Sequence, residues 1–244
     1  MSEVAVVRDA SEVAHAAGEL FLEACAGAVA ARGQALVALT GGSSAAPLYN
    51  ELVARPVPWA RVHVFFTDER AVPPADSLSN AGHAQRELLG RVSVPPAQVH
   101  PLRGDAPDLD AEARRAAGEL RAIASVKGGP PRLDLVVLGL GPDGHILSLF
   151  AGVASSAERG DDLLVRHVKA PVSVEPHVAR LTLTPFLVVT ARMVVLQVTG
   201  EKKADVLRRA LKGPEDLVGC PAQWLRRASG RVVIVADAAA ASLL

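Results

Sequence analysis

From Leu133 to Leu138 the chain reads Leu-Asp-Leu-Val-Val-Leu, and the run stops at Gly139-Leu140-Gly141-Pro142-Asp143-Gly144-His145. A short, nearly continuous aliphatic run rich in β-branched residues has the character of a strand buried on both faces. Such strands belong to parallel sheets covered by helices, so this stretch alone points to an α/β fold. It also places the glycines, Asp143 and His145 at the carboxyl edge of the sheet, where open α/β folds bind ligands. Histidine titrates near neutral pH and can move a proton in either direction, which makes His145 a candidate for chemistry. Taken by itself, the same stretch also fits, less well, a tight turn carrying a solvated acid and imidazole.

The rest of the chain repeats the pattern. Strand signals at Val4–Val7, Ala35–Leu39, Arg61–Thr67, Leu163–Val168, Arg180–Leu183, Met193–Val198 and Arg231–Val235 alternate with helical periodicity. Asp9 followed by Glu12 forms a capping box ahead of an apolar face at Val13, Ala17, Leu20, Phe21, Ala24 and Ala28. Further helices are expected through Leu48 and Leu52, from Ser79-Asn80 to about Leu89, over Asp108–Ala124 and over Lys202–Leu211. This predicts a Rossmann-like α/β fold, a mostly parallel sheet with helices on both faces, over residues 1–244 as one domain. Aromatic residues are only 3% while 50% of the chain is apolar, so the core must be Val, Leu and Ala, which suits helices packed on a sheet.

Charge and cysteine content narrow the partners. Lys plus Arg equals Asp plus Glu at 26 each, so no overall field favours nucleic acid or an acidic membrane. Cys25 and Cys220 stand far apart, without metal spacing or a disulfide framework, and read as small buried hydrophobes of a reducing cytoplasm. The early acids at the N-terminus do not make a signal peptide, and no uncharged stretch approaches a membrane span. No metal motif and no Gly-x-Ser-x-Gly elbow is present, so neither a metal nor covalent serine chemistry is expected.

An anionic ligand would therefore need a local cluster. Thr40-Gly41-Gly42-Ser43-Ser44 lies between a strand and a helix, where free amides and hydroxyls suit a phosphate. It lacks the Lys-Ser/Thr pair of a nucleotide loop and the dinucleotide Gly-x-Gly-x-x-Gly spacing. Asp68-Glu69-Arg70 closes the strand Arg61–Thr67: Arg70 could grip a phosphate, while Asp68 and Glu69 orient hydroxyls or hold the arginine. The proline-rich loop from Ala71 to Leu78 reads as a rigid flap beside them. Arg180 opens the strand Arg180–Leu183 and Lys203 lies in the Gly200–Lys203 link between a strand and a helix; each could add charge, though each alone is more often a solvated residue. His63 reads as a core or edge histidine.

These pieces, in this order, resemble the 6-phosphogluconolactonase family. The matching stretches begin TGGSSAAP at Thr40, FFTDERAV at Phe65, LDLVVLGLGPDGHILSLF at Leu133 and RLTLTPF at Arg180, and they extend to about Leu211. The resemblance implies a fold shared with glucosamine-6-phosphate deaminases and ribose-5-phosphate isomerases, and hydrolysis of 6-phospho-D-glucono-1,5-lactone to 6-phosphogluconate without a cofactor. With it go the expectations of His145 as general base, Asp143 as the group that orients His145 or the water, and a sugar-phosphate site made of Gly41, Gly42, Ser43, Ser44, Asp68, Glu69, Arg70, Gly144, Arg180 and Lys203. Ile146-Leu147 stands where the family usually has Thr-Ala, and isoleucine there is also what the deaminases show. The Asn-Glu-Pro that follows in deaminases is replaced by Ser148-Leu149-Phe150. An amino-sugar-phosphate deaminase or isomerase is thus the rival enzyme, and a non-catalytic sugar-phosphate sensor the rival of another kind. The expected partner is a small molecule, with the protein a monomer or weak homodimer in the cytoplasm.

Overall fold

The computed structural model describes residues 2–42, 45–125, 129–160, 162–172 and 174–244. In chain order the strands and α-helices are β1 (Glu3–Val7), α1 (Ala10–Arg32), β2 (Ala35–Leu39), α2 (Ala45–Val53), β3 (Val62–Phe66), β4 (Asp68–Arg70), α3 (Asn80–Ala84) and β5 (Val99–His100). They continue with α4 (Leu109–Ala124), β6 (Leu135–Gly139), β7 (Val165–Val168), β8 (Arg180–Leu183), α5 (Pro185–Thr190), β9 (Met193–Val198), α6 (Ala204–Lys212) and β10 (Arg231–Asp237).

Seven strands form a parallel sheet in the order β1-β10-β9-β6-β2-β3-β5. Side chains alternate along each strand, so β6 sends Leu135 and Val137 into one core and Val136 and Leu138 into the other. The first core is closed by Phe21 and Cys25 of α1 and Leu48 and Tyr49 of α2. The second is closed by Leu120 of α4, Leu187 of α5 and Leu207 of α6. Both faces are covered, as a continuous apolar strand requires. Cys25 and Cys220 are free and buried.

Local signals set the helix ends. The Asp9 carboxylate accepts from the Ser11 and Glu12 amides, and Gly33 closes α1 at φ 81°. Glu12 reaches back to the Arg8 amide, one residue before the one a capping box would use. By length and hydropathy α1 could cross a membrane, but it carries Glu19 and Glu23 and lays Val13, Ala17, Phe21, Cys25 and Ala28 on the sheet. The helix expected to Leu89 starts on the Ser79 cap and widens into a π-helical turn over Gln85–Leu89.

One expectation is corrected. The strands at 165–168 and 180–183 do not join the main sheet; with β4 they form a separate antiparallel sheet, β4-β8-β7. Asp68-Glu69-Arg70 is therefore a strand in its own right and not the close of the strand before it. Thr67 makes the transfer: its amide donates to Leu39 O on the main sheet and its carbonyl accepts from the Leu183 amide on the small one, each at 2.9 Å.

Candidate active site

The main sheet reverses its direction of growth between β2 and β6, with β3 and β5 added on one side and β9, β10 and β1 on the other. A crevice opens at such a switch point beyond the carboxyl ends of the strands. Here β2 delivers Thr40-Gly41-Gly42 and β6 delivers the turn from Gly139 to His145, and both line a cleft of about 430 Å³. The small sheet supplies its other wall through Asp68, Arg70 and Arg180.

The turn after β6 is closed on itself. The Gly141 amide donates to His145 O at 2.8 Å and the Gly144 amide to Gly141 O at 3.1 Å. Gly144 takes φ 99°, which favours glycine, and lies back against Cys220 and Val206. That closure folds the His145 ring over Gly141, and Asp143 Oδ1 meets His145 Nδ1 at 2.5 Å. Asp143 also accepts from the His145 amide at 3.2 Å, and its Oδ2 from the Ala151 amide at 3.4 Å. Burial pushes the Asp143 carboxyl up, but the hydrogen bond and charge of His145 outweigh it and hold the group down at about 2. With Nδ1 engaged, Nε2 is the ring nitrogen left for a ligand in the cleft. The His145 ring packs edge-on against Phe150 at 5.3 Å between centroids.

Across the cleft, β4 and β8 pair in a register that sets Arg70 directly opposite Arg180. Like charges facing one another across a strand pair are unfavourable unless something neutralises them. Arg70 donates through Nη1 to Leu78 O at 2.8 Å and to Asn80 Oδ1, while its Nε is buried without an acceptor among the described residues. Arg180 is held by Pro176 O at 2.9 Å and Val178 O at 3.1 Å and stacks over Phe150. Burial pushes its pKa down, with Asp68 opposing and Arg70 adding to the fall. Lys203 donates to Leu140 O beneath the turn; burial lowers its pKa, partly offset by Asp143. Three cations and the Gly41–Gly42 backbone thus share one cleft, an arrangement suited to a phosphate.

The remaining expectations divide. Asp68 lines the cleft and is fixed by Ser148 Oγ at 2.7 Å and Asn80 Nδ2 at 3.2 Å, which gives the Ser148-Leu149-Phe150 triplet a physical role. Glu69 and Gly144 do not line it. Glu69 points the other way along β4, fully buried, and accepts from Ser79 Oγ and the amides of Arg70, Asn80 and Ala81. Its work is to anchor the start of α3; burial pushes its pKa up against those four donors. Ser43 and Ser44 lie outside the described residues. No residue from Ala71 to Leu78 lines the cleft; the segment holds Arg70 through the Leu78 carbonyl, which accepts from its Nη1, and the Val72 amide, which donates to its carbonyl at 2.8 Å. His63 is a sheet histidine, its Nδ1 2.9 Å from His100 Nε2.

Sequence reasoning missed Asn80, Leu147, Phe150 and Glu175 on the cleft wall. In the sequence Asn80 reads only as part of a helix cap, yet its Nδ2 donates to Asp68 O at 2.9 Å and its Oδ1 accepts from Arg70. A polar residue directly after a satisfied cap was the available signal. Leu147 adopts φ 57°, an uncommon left-handed conformation for leucine. Among the described residues no three His, Cys, Asp or Glu side chains converge as a metal site would require.

The glucosamine-6-phosphate isomerases/6-phosphogluconolactonase family model matches residues 8–234. A 6-phosphogluconolactonase of Mycobacterium tuberculosis is 39% identical over 227 residues, which span 91% of this chain and 90% of that protein. The solved structure of 6-phosphogluconolactonase from Trypanosoma brucei superposes with a TM-score of 0.88 at 27% identity, covering 100% of this chain and 99% of that one. A monomeric glucosamine-6-phosphate deaminase shares the fold, with a TM-score of 0.83 at 21% identity over 99% of this chain and 100% of that one.

Proposed function

The chain belongs to the glucosamine-6-phosphate isomerase/6-phosphogluconolactonase family, and on that footing we propose that it hydrolyses 6-phospho-D-glucono-1,5-lactone to 6-phospho-D-gluconate, the lactone step of the oxidative pentose phosphate pathway. The observation that carries the reading is the Asp143–His145 pair, 2.5 Å apart, at one side of a cleft whose other side holds the Arg70–Arg180 pair. A phosphate bound by Arg70, Arg180, Lys203 and the Gly41–Gly42 backbone leaves the lactone carbonyl to face His145.

A δ-lactone is an activated ester, so water can open it once deprotonated and positioned. His145 Nε2 takes a proton from water as the oxygen adds to the carbonyl carbon. The tetrahedral intermediate then collapses, the bond from that carbon to the ring oxygen breaks, and the leaving oxygen takes the proton from Nε2. Asp143 holds the proton on Nδ1 throughout, which keeps Nε2 basic at the start of the cycle. General base catalysis of this kind is worth about 10²–10⁴-fold, and the fixed cations add stabilisation of the oxyanion. The enzyme so described acts on a small molecule in the cytoplasm as a single domain, monomer or weak homodimer, without a cofactor.

The test is to supply fresh 6-phosphogluconolactone and follow its loss against the uncatalysed background. His145→Ala should lower kcat about 10²–10⁴-fold with little change in KM. Ammonia release from glucosamine 6-phosphate would favour the deaminase reading, and binding of 6-phosphogluconate without turnover would make the chain a sensor.

A further inference from the structure

A second cavity, of about 320 Å³, lies at the opposite edge of the main sheet, where β2, β6 and β9 begin. Arg32 at the end of α1, Arg132 just before β6 and Arg192 just before β9 all line it. One buried carboxylate, Asp134, sits among them. Its Oδ1 accepts from Arg32 Nη2 at 2.7 Å and lies 3.2 Å from Arg192 Nε; its Oδ2 accepts from the Leu36 amide at 2.9 Å.

The charges do not balance. Three guanidiniums face one carboxylate, and Arg132 has no carboxylate partner among the described residues. Burial and the nearby charges of Arg32 and Arg132 lower the Arg192 pKa, with Asp134 opposing. The carboxyl ends of α1 and α4 also point here, and each contributes roughly half a negative charge. That still leaves about one positive charge uncompensated. The Nε atoms of Arg132 and Arg192 are buried and lack a hydrogen-bond acceptor, Arg192 being within ion-pair reach of Asp134 but misaligned for a bond. Leaving a buried donor unpaired costs about 1–3 kcal/mol, more for a charged group, so both guanidiniums gain from an acceptor drawn into the cavity.

We propose that this cavity is a second anion site, which takes a phosphate group between Arg132 and Arg192, remote from the catalytic cleft. Leu36 and Ile123 form an apolar wall against which the body of a phosphate ester can lie. The shared chemistry is a tetrahedral oxyanion, supplied either by free phosphate or by a phosphorylated metabolite. The β6 strand runs between the two sites, and its five residues separate them by about 16 Å.

The arginine Nε–Hε signals of the whole, ¹⁵N-labelled protein report on this directly, assigned by Arg→Lys replacement and titrated with inorganic phosphate or with glucose 6-phosphate. The signals of Arg132 and Arg192 should shift and saturate. Saturation at lower glucose 6-phosphate than inorganic phosphate identifies an ester as the ligand; the reverse order identifies free phosphate. Equilibrium dialysis with radiolabelled phosphate should count one fewer bound anion per chain in Arg132→Met and in Arg192→Met, with lactone hydrolysis retained as proof of folding. The proposal is overturned if the Arg132 and Arg192 signals stay fixed while those of Arg70 and Arg180 saturate, or if folded Arg132→Met binds as many phosphates as the wild type.

Discussion

Replacing Gly141 by alanine tests whether the position of the imidazole carries the catalysis. Gly141 does not occupy a left-handed conformation, so alanine meets no backbone obstacle there. Its Cβ, however, would lie 2.6 Å from His145 Cγ and closer still to Nδ1 and Cε1. Ordinary contact begins at 3.4 Å, so Cγ must retreat by at least 0.8 Å, and Nδ1 and Cε1 by more. The turn cannot open to absorb that, because the Gly141 amide is bonded to His145 O at 2.8 Å. The ring must rotate, and rotation breaks its 2.5 Å bond to Asp143. A displacement near 1 Å costs about 10²-fold in rate, so kcat should fall by about that factor in the lactone assay while KM stays within a few-fold. A second readout follows from the Asp143 carboxyl, held at about 2 against an ordinary 3.8. A group depressed on folding adds stability above its unfolded value and loses it as pH falls through the folded one. Breaking the pair should therefore flatten the loss of stability between about pH 4 and 2. A Gly141→Ala protein with wild-type kcat would refute the placement of His145 as the base.

Arg70→Ala should raise KM for the phosphorylated lactone about 10–100-fold, the worth of a charge-assisted bond, and leave hydrolysis of glucono-1,5-lactone nearly unchanged; equal effects on both would remove Arg70 from the phosphate site. Gly118, exposed within α4 with open space around it, should accept alanine and gain about 0.5–1 kcal/mol, seen as a rise in Tm of about 1–4 °C. His63 is held below 6.5 by burial and by neighbouring His100, which in turn bonds Glu119. A histidine depressed on folding favours the native state above pH 6.5 and loses that contribution as pH falls below it. Thermal melts from pH 8 to 5 should show the decline, and His63→Asn should weaken it; an unchanged slope would dismiss His63 as its source.

The main sheet and its helices were legible because each depends on local pattern. Leu135 to Leu138 must alternate between two cores, and Asp9, Ser79 and Asp108 each cap the helix that follows. The small sheet was not legible. Asp68–Arg70 is too short and too charged to show strand periodicity, and it exists because Arg180–Leu183 pairs with it from more than a hundred residues away. The same distance hid the division between Asp68, which faces the cleft, and Glu69, which anchors α3. His145 and Asp143 were legible because their contact is made within one turn. Asn80 was not, since its partners come from a strand ten and twelve residues earlier.

The facing arginines have a consequence for how acidity governs the enzyme. A guanidinium keeps its proton throughout the working range, so the pair cannot change its charge. The ligand can: a phosphate monoester passes from dianion to monoanion near pH 6. Two opposed cations reward the doubly charged form most. On the proposed binding mode the complex therefore weakens below that pH because the sugar phosphate has taken up a proton, while the two arginines are unaltered. On that proposal, acid sensitivity of binding is a property of the guest.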